Sequence, residues 1–140
     1  MGSSGGRYVS KGLMEVMPMD NPNIIKWDED RKREHDRGYS MPYVNEGSCG
    51  ARELEMHISV INPGQRAHPP HAHEGEEIMF LLEGTAEAII GEERYVIGPY
   101  TALFCPENVL HGLRNCGDTP IKYLVIRSTS RSRFDDKPKI

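Results

Sequence analysis

Residues 67–84, "AHPPHAHEGEEIMFLLEG", set three histidines within six positions and four acidic residues in a stretch that turns abruptly apolar. In an extended chain, side chains two apart share a face. His71, His73 and Glu77 then point one way, and Glu74 and Glu76 the other. Two imidazoles and a carboxylate on one side are three ligands for a first-row divalent metal. The same parity turns Met79 and Leu81 toward that side, as an apolar floor that excludes bulk water. The bland alternative is a polar loop without chemistry, and the rest of the chain must decide.

The chain has 140 residues, enough for one domain with a proper core. A net charge of −4 gives no concentrated basic face, so nucleic acid is not expected as a partner. No apolar run approaches the ~20 residues that cross a bilayer, so no membrane is expected either. Nothing near the start reads as a signal peptide. The cysteines Cys49, Cys105 and Cys116 are odd in number, widely spaced and outside any CxxC pattern, which fits a reducing compartment, the cytoplasm. Each is expected as a small buried or half-buried side chain.

Outward from the histidines the pattern is strand-like. "ELEMHISVI" alternates Leu54, Met56, Ile58 and Val60 against Glu55, His57 and Ser59. "NPGQ" breaks it as a turn, and "IMFLLEG" is an apolar run too short for a core helix. "TAEAIIGEERYVIG" reads as a hairpin with Gly91-Glu92 at its tip. "YTALFCP" and "IKYLVIRS" are two further strands, and "GLRNCGDTP" between them reads as turn chemistry. Short strands punctuated by Gly and Pro predict an all-β sandwich or barrel.

The ends are expected to differ from this body. Residues 1–22 read as an expression remnant, "MGSSGG", followed by a flexible N-terminus. Residues 23–49 read as an N-terminal arm, with an apolar hook (Ile24, Ile25, Trp27) that packs on the barrel or on a partner subunit. Its mixed-charge run, "DEDRKREHDRG", reads as a solvated turn or short helix. Residues 50–128 form the barrel, and residues 129–140 a frayed tail.

Three ligands leave a metal wanting a fourth, and His35, His57, His68 and His111 are the histidines available. His111 follows a Pro-bounded turn at the start of another short strand, where a distant strand can close the site. His68 is expected at the rim, out of parity with His71.

These residues carry a resemblance. "PGQRAHPPHAHEGEEIMFLLEG" resembles the first cupin motif, with His71-Ala-His73, Glu77 and Gly84 at matching spacing. Gly64 departs by standing one residue further from His71. "GPYTALFCPENVLHGLRN" resembles the second motif through Gly98, Pro106, His111 and Asn115. There the Gly98-to-Pro106 interval is two residues long of the pattern, and Asn108 stands where Gly is common. Asn tolerates positive φ, so the turn can survive. The resemblance covers roughly residues 50–127. It implies a double-stranded β-helix, the jelly-roll cupin barrel, with His71, His73, Glu77 and His111 on one divalent metal. Mn, Fe, Ni, Co, Cu and Zn all suit that ligand set.

Fold does not give reaction. The resemblance implies an enzyme acting on a small oxygen-rich metabolite (a sugar acid, keto acid or ureide) with the metal as Lewis acid. The metal stretch looks especially like that of the ureidoglycine aminohydrolases, which carry two barrels where this chain has room for one. The alternatives are an iron-dependent dioxygenase and a non-enzymatic small-molecule or metal-binding protein. A homodimer is expected on the resemblance. Arg52, Arg66, Arg114 and Arg127 are candidate anchors for a polar small-molecule ligand. Glu55, His57, Tyr100 and Tyr123 are candidate acid or base groups, each equally at home as a plain strand residue.

Overall fold

The computed structural model describes residues 15–16, 21–131 and 133. The expectations for the first residues and for most of the tail lie outside that set.

Among the described residues, nine strands follow one another: β1 (Arg33–His35), β2 (Gly38–Val44), β3 (Leu54–Ile61), β4 (Glu77–Glu83), β5 (Ala86–Ile90), β6 (Glu93–Ile97), β7 (Thr101–Cys105), β8 (His111–Asn115) and β9 (Ile121–Ser128). They form two antiparallel sheets, one in the order β1-β2-β3-β9-β4-β7 and one in the order β6-β5-β8. The molecule is nearly all β, a double-stranded β-helix jelly roll. A four-residue helix, Glu46–Cys49, is capped by Asn45, whose side chain accepts from the Ser48 amide. The β5–β6 hairpin turns on Gly91 and Glu92 as its sequence predicts.

Two readings of the sequence need correction. The mixed-charge run is not merely a solvated turn or short helix: after a single 3-10 turn (Glu29–Arg31) it supplies β1 and the turn into β2. Gly38 makes this possible. Its φ is +144°, and a Cβ there would sit 2.0 Å from the Val60 carbonyl oxygen. Only a residue without a side chain lets β2 close on β3 at that point. The hook then packs on its own hairpin, Trp27 meeting Tyr39 edge-on at 6.2 Å. Likewise "GLRN" is strand β8 and not turn, because Ala86, Ala88 and Ile90 of β5 take Asn115, Leu113 and His111 as register partners. Only residues 116–120 turn.

The interior is graded along the strands. Inward residues of β3 run from Ile61 through Ser59 to His57, and those of β4 from Leu81 through Met79 to Glu77. On β9 the row runs from Ile121 through Tyr123 and Val125 to Arg127. One end of the barrel is therefore apolar and closed, around Ile61, Leu81 and Ile121. Asn115 is fully buried at that end but completely satisfied: its Nδ2 donates to the Ile61 and Thr119 carbonyls at 2.9 and 2.8 Å, and its Oδ1 accepts from the Gly117 amide at 3.0 Å. Such a group specifies the closed end without the desolvation penalty of an orphan. The other end is polar and open.

Candidate metal centre

The four residues singled out by parity and motif converge at the open end. Glu77 begins β4 and His111 begins β8, so the two sheets each supply one buried ligand candidate, 5% and 1% exposed. His71 is tied to His111 by a reciprocal backbone pair, each amide donating to the other's carbonyl at 3.0 and 2.8 Å. The His73 carbonyl accepts from the Asn108 amide at 2.8 Å, and Asn108 takes φ 63°, the left-handed turn expected of it. The loop between His73 and Glu77 is clamped as well: Glu107 accepts from the Gly75 amide at 2.8 Å and pairs with Arg133 at 2.6 Å. Those two bonds hold the Glu107 carboxyl below the usual carboxylate range.

One ligand atom from each of His71, His73, Glu77 and His111 lies within 4.8 Å of the others. The three rings stand edge to face, with centroids 4.9–5.0 Å apart. The hydrogen bonding decides what the cluster wants. His73 Nδ1 lies 2.9 Å from the Glu74 carbonyl and His111 Nδ1 lies 3.0 Å from the Val109 carbonyl. A carbonyl can only accept, so both Nδ1 atoms carry a hydrogen and each ring turns its Nε2 the other way. Those Nε2 atoms face the Glu77 carboxylate, hydrogen-bonded at 3.0 Å from His73 and 3.7 Å away from His111. The Nε2 atoms of His71 and His111 are buried with no hydrogen-bond partner. Converging ring nitrogens, two of them buried without a partner, beside one carboxylate fit a cation at the centre, and a set of three imidazoles and one carboxylate suits a divalent transition metal. Burial, and then the neighbouring histidines His68, His111 and His73, push His71 below the ordinary histidine value, which favours the neutral ring.

A cavity of about 290 Å³ opens beside the cluster and includes Glu77 and His71 in its lining. His57 and Tyr123, two of the candidate acid or base groups, face it. Burial lowers His57 against the opposing pull of Glu77 and Glu55, and raises the Tyr123 phenol to about 12. Arg127 also lines it. The other candidates lie elsewhere. Arg114 reaches Glu87 at 3.5 Å, Arg66 lines an adjoining groove with His68, and Tyr100 is largely exposed against Phe80. The Arg52 carbonyl accepts from Thr129 and Arg131, and Glu55 lines a neighbouring pocket with Arg33 and Asn45. His68 is exposed and stacks on His71 at 4.2 Å, the rim position expected of it. Cys105 is buried and Cys49 half-buried, but Cys116 is exposed, contrary to expectation, because it starts the turn after β8.

Sequence reasoning missed the contribution of the N-terminal hairpin, which brings His35, Arg37 and Ser40 to the cavity wall. A signal was present in the Asp36-Arg37-Gly38 turn flanked by residues able to pair, but the surrounding charge obscured it.

The Cupin domain family model matches residues 57–127, 71 of the chain's 140 residues. The chain belongs to the cupin family. As a cupin it is similar to the mannose-1-phosphate guanylyltransferase RfbM of Salmonella typhimurium, 33% identical over 76 residues, 54% of this chain and 16% of that protein. It is also 29% identical over 85 residues to a 5-nitrosalicylic acid 1,2-dioxygenase of Bradyrhizobium sp., covering 57% of this chain and 41% of that one. The cupin chain thus spans well under half the length of either curated relative. Among solved structures, an RmlC-like cupin from Shewanella frigidimarina superposes with a TM-score of 0.63 at 18% identity, covering 79% of this chain and 94% of the other. No helix among the described residues is long and apolar enough to cross a membrane.

Proposed function

We propose that this cupin is a metal-dependent enzyme acting on a small oxygen-rich metabolite, a sugar acid, keto acid or ureide. His71, His73, Glu77 and His111 hold one divalent metal in this reading. The observation that carries it is the cluster itself: ligand atoms of three histidines and a carboxylate within 4.8 Å of one another, two of the ring nitrogens buried without a partner, beside a cavity. When bound there, the metal supplies Lewis-acid polarisation of a substrate oxygen. The protein's own groups do the rest. His57, held neutral by burial and lining the cavity, accepts a proton on its imidazole. The Tyr123 hydroxyl stays protonated at neutral pH and donates a hydrogen bond to the substrate. Met79 and Val125 exclude water between them.

An iron-dependent dioxygenase is the second reading, favoured by the likeness to the 5-nitrosalicylic acid 1,2-dioxygenase. In both readings the protein works in the cytoplasm, as its odd, scattered cysteines suggest. Both also take it as a homodimer, supported by the exposed apolar Leu54, Ile78 and Phe104 on the outer face of the larger sheet.

The test is elemental analysis of protein purified without chelator or added metal, beside His73→Ala. Near-stoichiometric manganese, nickel or zinc that the variant loses supports the Lewis-acid enzyme. Iron with oxygen uptake on small aromatic or keto acids supports the dioxygenase. A wild type that neither holds metal nor takes any up on dialysis overturns both.

A further inference from the structure

The cavity is charged in one sense. Its lining holds two arginines and four histidines against a single carboxylate, that of Glu77, which already belongs to the ligand cluster. A divalent cation beside Glu77 adds to the same sign. The two arginines come from different parts of the chain: Arg37 from the turn between β1 and β2, and Arg127 from the end of β9. Each is under-used. The Nη1 of Arg37 rests on its exposed neighbour Asp36 at 3.1 Å, but its Nε is buried and meets no acceptor. Arg127 lies in register between Glu55 and Glu77, yet its Nε is also buried without an acceptor. A buried, unanswered N–H on a permanent cation is expensive unless a ligand completes it.

We propose that Arg37 and Arg127 form an anion subsite that grips a carboxylate of the substrate, so that the substrate is a small organic acid. This rests on the reading of the neighbouring cluster as a metal centre and narrows its substrate class. The Nε–H and Nη–H of a guanidinium form a fork that matches the two oxygens of a carboxylate, and the idle Nε atoms are the missing half of that fork. The available volume, about 290 Å³, holds on the order of ten non-hydrogen atoms at liquid-like packing. That suits a short acid. The uncharged part of the acid lies toward Met79 and Val125, and its oxygen toward Glu77 and His71. The N-terminal hairpin is then part of the binding site and sets specificity, since Arg37 reaches the cavity only through it.

The test is calorimetric titration of the as-purified protein with malonate, with its neutral analogue malonamide and with inorganic phosphate, with metal content measured on the same samples. Malonate is expected to bind at least tenfold more tightly than malonamide. Arg37→Gln and Arg127→Gln are each expected to weaken malonate tenfold or more while metal content stays unchanged. Arg37→Gln decides the matter if Arg127→Gln does not fold, because a turn residue tolerates the change. The proposal is overturned if folded Arg37→Gln binds malonate as the wild type does, or if malonamide matches malonate. Tighter phosphate binding through the same arginines also overturns it, in favour of a phosphate ester. A wild type without metal would sink the metal reading alone, since the wild-type-to-variant ratio for malonate is read independently of it.

Discussion

The two ends of the barrel interior are made by the same strands and obey opposite rules. At the closed end, Ile61, Leu81 and Ile121 are at most 1% exposed, and the one polar side chain among them, Asn115, spends every donor and acceptor within the fold. At the open end, four to six residues along the same strands, His57, Glu77 and Arg127 line a cavity, and buried nitrogens of His71, His111, Arg37 and Arg127 have no partner. A satisfied polar group stabilises; an unsatisfied one destabilises until something binds. The closed end therefore supplies the folding free energy, and the open end holds the unmet hydrogen-bonding capacity that a metal and a ligand would meet.

The comparison predicts that substitutions at the two ends separate stability from binding. The largest effect is expected at the closed end. Leu81→Ala leaves a cavity in the tightest layer and should lower unfolding free energy by about 2–5 kcal/mol. Urea unfolding measures it, and the fraction that remains folded should hold metal as the wild type does. A loss below about 1 kcal/mol would mean that the closed end is not where stability resides.

Glu77→Gln is the mirror experiment. It keeps the shape of the side chain and removes the one carboxylate of the cluster. Metal affinity should fall at least a hundredfold, about 2.8 kcal/mol at 1.4 kcal/mol per tenfold. Competition against a metal-binding dye reads the change. The metal-free variant should melt at or above the metal-free wild type, because the desolvation cost of a buried carboxylate has been removed. A variant that melts well below it would make Glu77 a structural member of the fold and undo the contrast between the ends.

The open end was partly legible in the sequence and partly not, for identifiable reasons. His71, His73 and Glu77 lie within seven residues and do converge, but not by the period of two. The chain bends at Glu74 and Gly75, where Gly75 takes φ 87°, and runs extended only from Glu77, with Met79 and Leu81 following it inward. His111 needed the second strand signal and the motif. On β3 the alternation was plain, but not which side faced inward: His57 and Ser59 line the cavity, while Leu54 is exposed. Alternation alone carries no such direction in a barrel whose interior changes from apolar to polar along one strand and whose outer face bears Leu54, Ile78 and Phe104. Arg37 was not legible because its position depends on Gly38 closing against Val60, a contact between residues 22 apart in sequence. β8 was hidden by Gly112 and Asn115, turn-like residues that tertiary pairing with β5 holds extended.

The smallest expected effect is one of pH, and it tests whether the open end is a cost to the fold. His57 sits on the cavity wall, and burial outweighs the attraction of Glu77 and Glu55, so its folded pKa lies below the ordinary 6.5. His71 is lowered in the same direction. For each, between pH 6.5 and the folded value, the unfolded imidazole takes up a proton that the folded one refuses. The unfolded state then binds more protons, and stability falls as pH falls through that window. Above pH 6.5 neither group contributes a slope. Metal-free wild type should accordingly lose stability on acidification from pH 6.5, by no more than one proton's worth per histidine. His57→Gln should remove the His57 share and leave that of His71. Urea unfolding at half-unit steps from pH 5 to 7.5 reads both slopes. Identical slopes for wild type and His57→Gln would mean that His57 is as well solvated folded as unfolded, and would take away the neutral base on which the proposed proton transfer depends.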